Sequence, residues 1–242
     1  MFKSLLKKAF NFFIIKPILY IAIEVINNKK FRDKSIHAIL WDESIHESTC
    51  YVKNYIHEVL IFSKPKDIWS HSVDLIKDQK DKSFLEFGCY TGSSINYFAQ
   101  SLPEMKLYGF DSFEGLPGDW KGHHASRGSF NLEGKLPAVE SNVVLVKGWF
   151  DQTLPEFNLK NSDLNPCFLH VDSDTYESAK CVLDVMKKYL KPGMIILFDE
   201  YLGYPNWKNG EYLAWQEFCA ENSTKYKYIA FASEQALIQI VK

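Results

Sequence analysis

The chain has no C-x-x-C pair, no G-x-G-x-x-G loop and no unbroken apolar run of membrane-spanning length. Each absence removes a class of function. Its five cysteines, Cys50, Cys89, Cys167, Cys181 and Cys219, stand far apart. A zinc knuckle is therefore not expected, and isolated thiols in a reducing compartment are. Without G-x-G-x-x-G, a dinucleotide held by its pyrophosphate is a poor match. Lys plus Arg total 28 against 30 Asp plus Glu, a formal charge of −2. That balance predicts no basic surface for nucleic acid. No repeat or low-complexity tract is present, and 46% apolar residues exclude disorder. What remains, over 242 residues, is one large globular domain, alone or with an N-terminal extension.

Lys3, Lys7 and Lys8 precede the apolar stretch AFNFFIIKPILYIAIEVIN, residues 9–27. Lys16-Pro17 splits it and Glu24 lies near its end. A spanning helix needs about 20 nearly unbroken apolar residues. No small-x-small cleavage site follows, only the polar NNKKFRDK. Neither a spanning anchor nor a cleaved signal is expected. Two readings stand: a helix docked on the domain or on a second subunit, and a peripheral helix through residues 1–27 at the inner membrane surface. Both are compatible with a cytoplasmic protein.

Residues 31–80 read as mostly helical, and 1–80 as a helical extension or substrate cap. After the polar run DQKDKS a second regime, 81–242, alternates strands and helices. Apolar strands are expected at 84–87, 105–110, 142–147, 167–171 and 194–198, with helices at 91–102, 176–190 and 210–222. Continuous apolar strands separated by helices imply an α/β fold with a parallel sheet covered on both faces. The last two strands, turning at Ser233-Glu234, are too close for a crossover and must form an antiparallel hairpin.

Ligands of such sheets bind beyond the carboxyl ends of the strands. The first strand ends in LEFGCYTGSS. Gly88 and Gly92 let a ligand approach the backbone where a helix begins. Glu86 suits a cationic ligand. The second strand ends at Asp111, whose carboxylate can accept ribose hydroxyls or cap a helix. Together they point to a nucleoside at the first crevice. The fourth strand ends in HVDSDTY and the fifth in Asp199-Glu200. Asp172, Asp199 and Glu200 can converge on one rim and hold Mg²⁺ through oxygen ligands. The other reading of these acids is a set of solvated helix caps, with Asp174 capping the helix that follows it.

LEFGCYTGSS, GFDSFEGLP, KGWFDQTLP, HVDSDTYES and LKPGMIILFDEY, in this order, resemble the class I S-adenosylmethionine-dependent methyltransferases. More narrowly, they are similar to the macrocin O-methyltransferase (TylF/MycF-type) family, over residues 83–242. The resemblance implies a Rossmann-like, seven-stranded, mostly parallel sheet closed by the antiparallel hairpin. It implies S-adenosylmethionine as cofactor, held by Glu86, Gly88, Gly92 and Asp111, with Tyr90, Ser93 and Ser112 in the same segments. Trp149 or Phe150 would flank the adenine, or else pack in the core. Asp172, Asp199 and Glu200 would hold Mg²⁺, although many relatives have Asp-Asp where this chain has Asp199-Glu200. The implied reaction is methylation of a sugar hydroxyl in a glycan or glycosylated metabolite. Asp172 acts through the metal, and His123 or His124 in the long loop is the candidate general base. His170 reads as a buried, satisfied histidine. Catechol-type enzymes have a lysine where this chain has Thr175, which weighs against a catechol. A small phenolic acceptor and a non-catalytic membrane-surface relative stay open. The expected partners are a small-molecule or glycan acceptor and further copies of the chain in a homo-oligomer.

Overall fold

The computed structural model describes residues 35–242. The readings of residues 1–27, as a docked or membrane-surface helix, lie outside the described residues. The chain divides after Asp42 into two units. Of the first, residues 35–42 are described; they open helix α1 (Ile36–Val52), in which His37 and Trp41 pack ring on ring at 5.2 Å.

The second unit, Glu43–Lys242, continues α1 and then runs through β1 (Leu60–Phe62), α2 (Pro65–Ile76), β2 (Ser83–Phe87), α3 (Ser93–Ser101), β3 (Lys106–Asp111) and β4 (Val143–Lys147). There follow α4 (Phe150–Lys160), β5 (Pro166–Val171), α5 (Tyr176–Met186), β6 (Ile195–Phe198), α6 (Glu211–Asn222), β7 (Tyr226–Ala232) and β8 (Gln235–Ile240). The strands form one sheet in the order β1-β7-β8-β6-β5-β2-β3-β4. β6, β5, β2, β3 and β4 are parallel, and β8 pairs antiparallel with both β6 and β7. This is the Rossmann-like α/β architecture expected of the sequence, terminal hairpin included.

Two elements differ from expectation. β1 adds an eighth strand, parallel to β7, inside the stretch read as helical. Its three residues, Leu-Ile-Phe, are too few to show a period in sequence. Helix α4 was hidden by Pro155 inside it, because proline removes a hydrogen bond and normally ends a helix.

The core lies on both faces of the central strands. Phe84 of β2 stacks on Phe168 of β5 at 4.9 Å, and Phe98 of α3 covers Phe84 at 4.7 Å. On the opposite face Phe87 stacks on Phe110 at 5.1 Å, and Phe157 of α4 meets Phe110 edge-on. Each such fully buried phenylalanine contributes about 1.5–3 kcal/mol. These layers fix the register that brings the strand ends level.

The rim is then built by backbone hydrogen bonds. The N–H of Gly88 donates to Phe110 O, that of Asp172 to Phe87 O, that of Asp199 to Val171 O and that of Gly148 to Asp111 O, each at 2.9 Å. The first residue beyond each strand is thereby set beside its neighbour.

Candidate functional site

A cleft of about 390 Å³ opens along this rim. Its floor at one end is the β2–α3 turn, where Gly88 has φ +97° and a Cβ would lie 1.6 Å from the carbonyl oxygen of Asp172. Only glycine lets the ends of β2 and β5 approach so closely. Tyr90 follows at φ 42°, which turns its ring outward against Phe130 at 5.5 Å. Asp111, at the end of β3, organises this turn. Its Oδ2 accepts from the N–H groups of Cys89 (2.9 Å) and Tyr90 (2.7 Å), and its Oδ1 from the N–H of Phe113 (2.7 Å). A carboxylate has about four acceptor sites. Three are taken, which leaves one on Oδ1 for a ligand hydroxyl.

Of the residues expected to hold the cofactor, Gly88, Tyr90, Ser93, Asp111, Ser112, Trp149 and Phe150 line the cleft. Glu86 and Gly92 do not line it. Glu86 is wholly buried beneath the turn, accepting from Ser94 Oγ at 2.9 Å and facing His170 Nδ1 at 3.0 Å. Its place in β2 points it at the α3 face of the sheet, so its contribution is to orient the turn from below. Gly92, at φ 80°, opens α3 as its N-cap.

The other end of the cleft is acidic. Asp172, Asp174, Asp199 and Glu200 all face it. Asp172, Asp174 and Glu200 each bring one carboxylate oxygen within 4.8 Å of the others. The expected trio was Asp172, Asp199 and Glu200; the structure gathers Asp172, Asp174 and Glu200 in one group and His170, Asp172 and Asp199 in a second, with Asp172 common to both. Asp199, beside Asp172 in that second group, has its Oδ1 accepting from Gln235 Nε2 and lying 3.2 Å from His170 Nε2. His170 thus bridges Glu86 and Asp199. Burial opposes charge on this imidazole, but the two carboxylates outweigh it and raise its pKa well above the usual histidine value. Burial also pushes Asp199 up, yet the bonds from His170 bring its net shift below the carboxylate range.

The gathered acids behave oppositely. Burial, then the charge of Asp199, raises Asp172 and Glu200 well above the carboxylate range. The same causes push Asp174 up to about 7. Glu200 Oε2 is buried with no protein partner. Buried polar atoms are normally satisfied. Three converging carboxylates, one with an orphaned oxygen, are a donor set that fits a hard divalent cation.

Asp174 is not the cap of α5, as its position had suggested. Thr175 caps it, its Oγ1 accepting from the N–H of Ser178 at 3.3 Å. Asp174 itself stands at φ 62°, a backbone conformation aspartate tolerates better than most residues. The turn this produces carries its carboxylate into the cleft. In the sequence, D-x-D before a helix reads equally well as ligand or cap.

The long connection from β3 to β4 forms the outer wall. It is knitted to itself by bonds such as Leu116 N–H to Ser129 O and Leu132 N–H to Phe113 O. Leu116, Pro117, Trp120 and Phe130 reach the cleft from it, and Trp69 reaches it from α2. None of these was singled out from sequence, where a lone aromatic in a loop carries no spacing signal. His123 and His124 do not line the cleft. His123 stacks on the back of Trp120 at 4.0 Å, and its Nδ1 accepts from the N–H of Ala125 at 3.3 Å. His124 packs on His123 at 4.1 Å.

Residues 85–201 match the family model described as a methyltransferase domain. No curated protein is similar to the chain by sequence. Among solved structures, the calicheamicin methyltransferase CalS11 is 22% identical, covering 85% of this chain and 93% of its own with a TM-score of 0.58. An apo structure of CalS11, described as a TDP-rhamnose 3'-O-methyltransferase, is 23% identical over 73% of this chain and 81% of its own, TM-score 0.51. The O-methyltransferase NovP is 18% identical over 73% of this chain and 79% of its own, TM-score 0.56. At these identities the likeness is one of fold. The domain match, from Leu85 to Tyr201, and the Rossmann-like fold agree with the cleft, and together they support an S-adenosylmethionine-dependent O-methyltransferase.

Proposed function

We propose that this methyltransferase moves the sulfonium methyl of S-adenosylmethionine to a sugar hydroxyl of a glycan or glycosylated metabolite, assisted by Mg²⁺, as in macrocin-type enzymes. The observation that carries this reading is the sharing of one cleft by a nucleoside-sized rim and three converging carboxylates. The similarity to CalS11, a TDP-rhamnose 3'-O-methyltransferase, supports a sugar acceptor by analogy.

In this reading the Gly88–Tyr90 turn and the free site on Asp111 Oδ1 bind the cofactor, with Trp149 and Phe150 beside the adenine. Asp172, Asp174 and Glu200 hold the cation, and Asp199 supports them through Gln235 and His170. A cation there supplies a lowered pKa to a bound hydroxyl. Trp120, Phe130 and Trp69 give the acceptor apolar walls that exclude water. Residues 43–80 contribute Trp69 on the acceptor side.

The test is calorimetry followed by transfer of a radiolabelled methyl group. S-adenosylhomocysteine should bind and NAD should not. Transfer to sugar acceptors with vicinal hydroxyls should stop on chelation and return with Mg²⁺. Full transfer in excess EDTA would refute the metal-assisted reading.

A further inference from the structure

Glu211, the first residue of α6, lies behind the acidic end of the cleft and does not line it. It is 0% exposed. Its Oε1 accepts from the N–H of Ser173 at 3.1 Å and from Ser173 Oγ at 3.2 Å. Its Oε2 accepts from the N–H of Glu200 at 3.2 Å. One carboxylate thus grips two separate loops. Ser173 sits between Asp172 and Asp174, and Glu200 follows Asp199.

We infer that Glu211 is a positioning residue that sets the gap between the β5 and β6 loops and so the spacing of Asp172, Asp174 and Glu200. The inference rests on the proposed reading of those three as cation ligands.

The physical argument begins with cost. A buried carboxylate is expensive unless its oxygens are bonded. Burial, then the charge of Asp199, pushes its pKa up to about 8 against the pull of the Ser173 and Glu200 N–H groups; a cation among the nearby acids favours the ionised form, and because all three partners are donors that acceptor-only group satisfies them at once. The N-terminus of α6 adds a favourable dipole for a negative charge in the first turn. A helix is rigid, so both loops are referred to one fixed point. Without it, the two backbone N–H groups face a dry interior with no acceptor, and beyond the last β5–β6 pair the loops that carry three mutually repelling carboxylates lose their shared tie. Outer residues of this kind commonly govern metal affinity as strongly as some direct ligands.

Glutamine is the informative substitution. It is isosteric, but its amide has one acceptor oxygen and one NH₂ group. Whichever way it turns, a donor faces Ser173 or Glu200. In the full-length Glu211→Gln protein, exchange of the Ser173 and Glu200 amide hydrogens should accelerate about tenfold or more while the β-sheet core stays protected. Mn²⁺ affinity, read by calorimetry, should fall about 10- to 100-fold. Affinity for S-adenosylhomocysteine should be retained, because its rim hangs on Asp111. Glu211→Asp, which is too short to reach both loops, should give the same pattern and serves if the glutamine variant folds poorly.

Unchanged exchange at both amides overturns the inference. So does an equal loss of Mn²⁺ and S-adenosylhomocysteine binding with a lowered Tm, the mark of a merely structural role. Wild-type protein that binds no Mn²⁺ refutes the cation reading itself and the inference with it. Wild-type binding of Mn²⁺ matched by Glu211→Gln refutes the inference alone.

Discussion

The two ends of the cleft sit on one sheet rim and solve opposite problems. At the β2–β3 end the single carboxylate, Asp111, is already bonded to three backbone N–H groups. That end is a finished surface: the carboxylate hydrogen-bonded, one acceptor site left over, aromatic rings beside it. At the β5–β6 end three carboxylates meet, and Glu200 Oε2 has no partner. That end is unfinished without a positive charge. A protein can preorganise hydrogen-bond donors from its own backbone around one carboxylate, but it cannot neutralise clustered carboxylates except with a cation or with protons.

The most damaging change should be the one that strikes both ends. Gly88→Ala puts a Cβ 1.6 Å from the Asp172 carbonyl oxygen at a φ of +97°. Separation of β2 from β5 should cost more than about 3 kcal/mol in denaturant unfolding. Stability close to wild type would mean that the rim is softer than its geometry implies.

Next come substitutions that split the ends. Asp172→Asn should abolish Mn²⁺ binding measured by calorimetry and leave S-adenosylhomocysteine binding intact. Asp111→Asn should do the reverse, because an amide NH₂ would confront backbone N–H donors; the cofactor should bind about 1–3 kcal/mol more weakly. Parallel losses in both variants would show that the ends are one cooperative unit.

The third test uses pH. Asp174 is raised to about 7 and Glu211 to about 8, chiefly by burial. Both folded values exceed those of the unfolded chain, near about 4, so the native protein binds more protons. Their stabilising contribution is complete below about pH 4 and is lost as pH rises through 7 to 8. The Tm of metal-free protein should therefore decline from about pH 5 to about pH 8, and Mn²⁺ should restore more at the higher pH. A metal-free Tm that climbs over that range would contradict the pKa directions.

The smallest effect should come from the loop histidines. His123→Ala and His124→Ala should change kcat by less than about tenfold, well short of the 10²- to 10⁴-fold expected of a general base. Their rings back Trp120 rather than face the cleft. A larger fall, with a pH profile that loses its limb near neutrality, would return the base to this loop.

Much of this was readable in the chain. The five parallel strands and the final hairpin follow from apolar runs and turn residues. The acids at 111, 172, 199 and 200 follow from the rule that ligands meet strand ends. Among the acids, three roles were not readable. Glu86 looked like a ligand because it precedes the glycines, but pleat alternation sends it to the other side of the turn. Asp174 looked like a cap because Thr175, which can cap as well, stands next to it. Glu211 had no signal, since its partners Ser173 and Glu200 are distant in sequence and are contacted through their backbones.

The sequence alone determined the architecture, because strand and helix periods are local and the order of elements admits few topologies. It also determined which residues reach the rim, because a strand end is a position in the chain. Only the tertiary structure decided which carboxylates converge. That choice depends on side-chain direction, on a left-handed turn at Asp174 and on a buried helix residue spanning two loops. These are relations between segments far apart in the chain, and each is settled by packing and hydrogen-bond satisfaction in the folded state.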